Sequence, residues 1–212
     1  MIDLRIDKRF DNLLPIVLDL ETGGVNYKTD ALLEVAAISL TYGKDGFLQQ
    51  KDLFSCHIEP FKGARLDPKA LEINGIDPFH PFRFAIPEKE ALEKLFHFTK
   101  TELKESFCRR AVLVGHNAHF DLYFLKEAVD RCKLKNPFHA FTVFDTATLG
   151  GLMYGKTVLA RAAKAAGIPF DRKEAHSAIY DAKITAELFC TIVNNTPMQT
   201  KNHSAETSGK EN

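Results

Sequence analysis

Apolar runs and the breaks between them divide the chain into strands and helices. Residues 15–20, PIVLDL, form a continuous apolar run of strand length, and ETGG follows as a turn. A second strand is predicted over residues 33–41 and a third over 53–58, past the GKDG turn, giving an antiparallel meander. A short helix over 68–74 ends at Gly75, and a longer one spans about 87–106 with Pro87 in its first turn. AVLVG, residues 111–115, reads as another buried strand, and Asn117 is placed to cap a helix reaching Cys132. Residues 142–144 are the last strand. Helices over 146–153, 157–166 and 177–195 follow, with Gly167 closing the second and Ser177 capping the third. Strands first, then strands alternating with helices, predict an α/β chain: a central mixed sheet of about five strands with helices on both faces.

Four acids break this pattern. Asp181 shares a helical stripe with Ile184, Leu188 and Ile192, so its carboxylate faces inward. An unpaired buried carboxylate costs several kcal/mol, which calls for a cationic partner. Asp121 likewise shares a stripe with Leu125, Ala128 and Cys132 in GHNAHFD and the helix after it. Either acid alone is explained by the helix dipole, worth ~0.3 to 1 kcal/mol in a first turn. That account leaves open why both choose the apolar face. Asp19 and Glu21 then end the first strand two residues apart, pointing the same way, at the strand end where open α/β sheets build their sites. Taken alone, DLET is equally a pair of solvated acids.

Converging carboxylates repel, and an all-oxygen ligand set of this kind suits Mg²⁺ or Mn²⁺ rather than zinc. Two such ions ~3.5 to 4 Å apart activate water and steady the leaving oxygen in phosphodiester hydrolysis. His176, just before the cap of the Asp181 helix, is placed to take the proton from that water. Asp145, ending a strand before a helix, reads as an N-cap rather than a ligand.

Composition narrows the field. The 212 residues suffice for one core, and the chain is read as one domain over residues 1–196. Twenty-eight basic residues balance 28 acidic ones, so nucleic-acid binding has to come from local patches. Four scattered cysteines without a CxxC pair read as apolar fillers in a reducing compartment. No secretory pattern and no 18-residue apolar span occurs, so the expectation is a cytoplasmic protein without a membrane partner. Residues 197–212 lack Ile, Leu, Val and aromatics and are expected to be a disordered tail.

With DLETGG at 19–24, GHNAHFD at 115–121 and HSAIYD at 176–181, the chain resembles the DEDDh 3′–5′ exonucleases. KTDALLEVAAISL, ALEINGIDP, NPFHAF and FDTATLGGL extend the likeness over residues 9–195, toward the branch that trims RNA ends. The resemblance implies a ribonuclease-H-like, three-layer α/β/α fold. It also implies two Mg²⁺ per site and removal of one nucleotide at a time from the 3′ end. Asp19, Glu21 and Asp181 would hold the first ion, Asp19 would be shared with the second, and Asp121 would act directly or through water. Implied substrates are the 3′ ends of tRNA and other stable RNA precursors, and single-stranded 3′ overhangs on DNA.

The same branch is similar in forming homodimers whose basic patch, matched here by Arg9, Lys104, Arg110 and Lys135, feeds the partner's site. Phe120 and Phe141 match base-stacking phenylalanines of the family. Val25 and Ile73 stand where that stacking set has Phe, Lys69 where it has Glu, and Asp11 where the patch has a second arginine. Two other readings stay open: a mainly DNA-directed exonuclease, and an inactive module that occupies 3′ ends.

Overall fold

The computed structural model describes residues 5–196; the expected tail at 197–212 lies outside the described residues. The first three strands are β1 (Leu13–Thr22), β2 (Leu32–Tyr42) and β3 (Leu48–Glu59). They form the predicted antiparallel meander. β5 (Arg110–Gly115) joins β1 in parallel, and β6 (Phe138–Asp145) joins β5 in parallel. The sixth strand is the two-residue β4 (Ile86–Pro87), paired to the end of β3, and the sheet order is β4-β3-β2-β1-β5-β6. β4 is too short for an alternating pattern to register, which is why the sequence suggests about five strands.

Central β1 is buried on both faces: Leu14, Ile16, Val17 and Leu18 are all within 1% of full burial. Such a strand reads as a continuous apolar run because helices cover each side. On one side α7 (Ala178–Asn194) lies across β1, β2 and β3. On the other, α3 (Glu88–Ser106) packs over β1, β2, β3 and β5 and against α4 (His119–Cys132), which covers β1, β5 and β6. This is the three-layer architecture. A four-residue helix α1 (Ile6–Arg9) precedes β1, α2 (Pro68–Asn74) follows β3, and α5 (Thr146–Tyr154) and α6 (Leu159–Ala165) lead into α7. The α2 cap is fully local: the Asp67 side chain accepts the Lys69 N–H, Pro68 opens the first turn, and Gly75 takes a left-handed φ of 66°.

α7 divides its contacts in a way the sequence did not resolve. The row in line with Asp181, Ile184, Leu188 and Ile192, is buried against Ala162, Ala163 and Ile168 around α6. The sheet is met instead by Ala178, Ala182, Ala186 and Phe189, whose small leading residues bring the first turns of α7 close to β1. All four cysteines are free thiols, with Cys108 and Cys190 buried. Among the described residues no helix is long and apolar enough to cross a membrane.

Candidate active site

β1 runs on past Val17, the last residue it pairs with β5, and carries Asp19 and Glu21 from the same face. Between Glu21 and Thr22 the pairing with β2 slips register, a bulge of the kind that re-aims side chains beside functional sites. The turn that follows demands glycine: a Cβ on Gly24 would overlap the Asp30 carboxylate, which accepts the Asn26 N–H at 2.9 Å.

The second motif delivers Asp121. Gly115 ends β5 so tightly that a Cβ there would sit 3.1 Å from Ala118 Cα and 3.3 Å from Asp121 Oδ2. Asn117 does not cap α4 as expected; it turns left-handed at φ 63° and its N–H goes to Asp145 Oδ1 at 2.8 Å. The cap position falls on Ala118, which offers no side-chain acceptor. Asp145 is the predicted N-cap, accepting from Ala147 and Thr148 of α5. Asp121 is buried, and its Oδ1 accepts the Leu20 N–H at 3.1 Å, the amide between Asp19 and Glu21. β5 has stopped pairing by that point, so the carboxylate replaces a ladder partner and locks α4 to the acidic end of β1.

The third motif brings in α7. Ser177 occupies its N-cap but makes no side-chain cap bond, contrary to expectation. Asp181 Oδ2 instead accepts the backbone N–H of His176 at 3.0 Å, and His176 sits left-handed at φ 67°. The other oxygen, Asp181 Oδ1, is buried and has no hydrogen-bond partner among the described residues. One ligand atom each from Glu21, His176 and Asp181 lie within 4.8 Å of one another.

Electrostatically the cluster is starved of positive charge. Burial, then repulsion from Asp121, Asp181, Glu21 and Glu34, holds Asp19 well above the usual carboxylate range. Burial and repulsion from Asp181 and Glu34 push Glu21 to about 8, against a bond from Asn74. Burial carries Asp121 to about 8 despite its backbone bonds. Asp181 is raised by burial, with His176 pulling it back. An orphaned carboxylate oxygen among acids that resist ionising fits a divalent cation, which would offset the repulsion and take up the free lone pair.

Three neighbours received no role from the sequence. Glu34 is the cross-strand partner of Glu21, and its Oε1 lies 2.7 Å from His57 Nδ1. Asn74 Nδ2 donates to the Thr22 carbonyl at 3.1 Å, tying α2 to the acidic end of β1. His116, inside the GHNAHFD motif, bridges Thr146 Oγ1 at 3.0 Å and the Thr157 carbonyl at 2.9 Å, and so braces the loop before α4. Strand pairing could have found Glu34, since it faces Glu21 once the meander register is known.

The expected nucleic-acid contacts fall in separate places. Phe120 is partly exposed beside Asp121, its ring 4.9 Å from that of Phe124. In β6, Phe138 pairs with Ala111 but Val143 with Leu113, so residues 139–142 loop out and leave Phe141 76% exposed on the sheet edge. Arg110 lies opposite Leu13 at the start of β1, and the chain neighbours of Arg9 and Lys135 meet there through the Arg109–Asn12 and Ala111–Pro137 backbone bonds. Lys104 is in the last turn of α3. These four cations therefore belong to the end of the sheet away from the acids. Val25, Lys69 and Ile73 are exposed.

Residues 16–189 match the family described as Exonuclease. The chain is 54% identical over 193 residues to ribonuclease T of Vibrio campbellii, covering 90% of each protein. It is 56% identical over 188 residues to ribonuclease T of Hahella chejuensis, covering 88% of this chain and 86% of that one. In fold it is similar to E. coli exonuclease I in complex with a dT13 oligonucleotide (TM-score 0.66, 17% identity), covering 85% of this chain and 41% of that longer one. A full-length 3′-exonuclease is similar too, with TM-score 0.65 and 19% identity over 84% of this chain and 80% of the other. The likeness read from the three motifs is thus borne out, and the chain belongs to the exonuclease family that includes the ribonuclease T enzymes.

Proposed function

We infer that this exonuclease is a Mg²⁺-dependent 3′–5′ exoribonuclease of the ribonuclease T type, which trims the 3′ ends of tRNA and other stable RNAs in the cytoplasm and also acts on single-stranded DNA 3′ overhangs. The observation that carries this reading is the partnerless, buried Asp181 Oδ1 among acids raised by burial and mutual repulsion, with His176 beside it. Asp19, Glu21 and Asp181 would hold one ion, Asp19 would reach the second, and Asp121 would act directly or through water; Mn²⁺ would substitute. When bound, the two ions would supply Lewis acidity to the phosphate and make the attacking water more acidic.

The chain's own groups do the rest. His176, exposed at the mouth of the cluster, accepts the proton of the attacking water on a ring nitrogen. The water oxygen bonds to phosphorus and the P–O3′ bond breaks. The leaving O3′ takes a proton from solvent, so the shortened strand ends in a 3′-hydroxyl and the terminal nucleotide leaves as a 5′-monophosphate. Phe120, next to Asp121, and Phe141 offer ring faces to the last bases.

Arg9, Lys104, Arg110 and Lys135 act across a homodimer. Leu13, opposite Arg110, is six strand residues from Asp19, about 20 Å, so this patch cannot grip a phosphate at its own acids. It would guide a strand into the partner's site. The exonuclease domain spans residues 1–196.

End-labelled single-stranded RNA and DNA of one sequence, incubated with Mg²⁺, test the proposal. It expects mononucleotides from the 3′ end, faster from RNA, and none after chelation. A preference for DNA would point instead to a repair or proofreading exonuclease, and binding without release to an inactive end-binding module. Replacing His176 with Ala should slow release ~10² to 10⁴-fold while leaving the thermal unfolding profile intact.

A further inference from the structure

The segment between α2 and β4 presents three phenylalanines to solvent: Phe79, Phe82 and Phe84 are 75%, 76% and 81% exposed. Single exposed apolar side chains need no explanation, but three within six residues do. A mobile loop would carry them at little cost to the fold; this one is tightly built. Asp77 Oδ1 accepts the Phe79 N–H at 3.1 Å, and His80 Nδ1 accepts the Phe82 N–H at 3.3 Å, opening a 3₁₀ turn over Pro81–Arg83. The His80 and Phe82 ring centroids are 5.6 Å apart. Arg83 faces inward and pins the loop, donating to the Pro78 carbonyl at 2.9 Å and the Leu33 carbonyl at 2.7 Å. Phe84 takes a left-handed φ of 51°, and Ile86 and Pro87 pair with Ile58 and Glu59. Backbone bonds thus hold the rings outward.

The anchor fixes where the rings stand. Leu33 is the neighbour of Glu34, which lies across the sheet from Glu21. The loop therefore borders the acidic end of β1, where a polynucleotide end must enter.

We propose that Phe79, Phe82 and Phe84 form a stacking platform for bases of the single strand next to the nucleotide being removed. This rests on the exonuclease reading above. Aromatic faces stack on any base, which suits an enzyme that must advance along a strand regardless of sequence. The segment has one acid, Asp77, and its arginine is committed to backbone carbonyls, so it engages bases rather than phosphates. A lipid surface would need a basic rim that this loop lacks.

The test uses the full chain with Mg²⁺ and the triple variant Phe79→Ala, Phe82→Ala, Phe84→Ala. Substrates are a single strand of about twelve nucleotides, the same strand with abasic sites near its 3′ end, and a dinucleotide. The platform predicts that the triple variant raises KM for the long strand roughly 5- to 150-fold, the range expected for one lost base stack, with dinucleotide turnover within about twofold of wild type. Abasic sites should reproduce the loss in wild type and add little in the variant. An unchanged KM overturns the proposal; if light scattering then shows a smaller assembly, the loop is a subunit contact. An equal loss on the dinucleotide overturns it too, because the change would have reached the acids. If wild type cleaves neither substrate, the exonuclease reading fails on its own, and anisotropy of a labelled strand still decides the platform: equal affinity of wild type and variant would sink it.

Discussion

Buried and half-buried acids occur in two settings in this protein. On the α3 side, Glu88 and Glu102 are 7% and 6% exposed, yet each meets a cation: Arg131 grips Glu88 with contacts of 2.8 and 2.6 Å, and Lys51 contacts Glu102 at 2.9 Å. At the end of β1, Asp19, Glu21, Asp121 and Asp181 face one another with no Lys or Arg ion pair among the described residues. The first arrangement ties α3 to α4 through Arg131 and to β3 through Lys51. The second leaves repulsion for something outside the chain to neutralise, so an overall charge of zero conceals an acidic pole at one end of β1 and a basic one at the other.

Breaking each setting should give opposite results. Asp19→Asn should lower turnover about 10³-fold or more, the equivalent of ~4 kcal/mol of transition-state stabilisation, while raising the melting temperature of metal-free protein because a source of repulsion is gone. Steady-state kinetics and calorimetry of one preparation check both signs.

Acids whose folded pKa lies above the unfolded value stabilise the fold fully only below the unfolded value, and lose that contribution as pH rises through the folded one. With Glu21 and Asp121 carried to about 8, metal-free protein should lose several kcal/mol of stability between the ordinary carboxylate range and pH about 8. Saturating Mg²⁺ should flatten the profile, as denaturant melts across pH would show. Arg131→Ala should cost about 2 kcal/mol, roughly 4 to 8 °C in Tm, through the lost Glu88 pair and the guanidinium 3.8 Å from the Phe61 ring centroid, with turnover unchanged.

The acids of the second setting were legible because each violates a local rule: carboxylates on apolar helix stripes, and two more ending a buried strand. Local signals also located the principal strands and α2, whose cap, proline and glycine are consecutive in the chain. What escaped depends on distant pairing. Asn117 looks like a cap until Asp145, a strand away, claims its N–H. Ser177 looks like one until Asp181 takes the His176 amide. Glu34 and His57 are ordinary strand residues until the β2–β3 register sets them opposite each other.

The central claim, that these acids assemble a divalent-cation site, is tested most directly by titrating metal-free protein with Mn²⁺ near pH 7 in weakly buffered solution and counting released protons. Glu21 and Asp121, carried to about 8, are largely protonated there, so saturation should displace about one to two protons per chain, and Asp19→Asn should weaken binding. Saturable binding with no proton release, or no binding at all, would contradict the account.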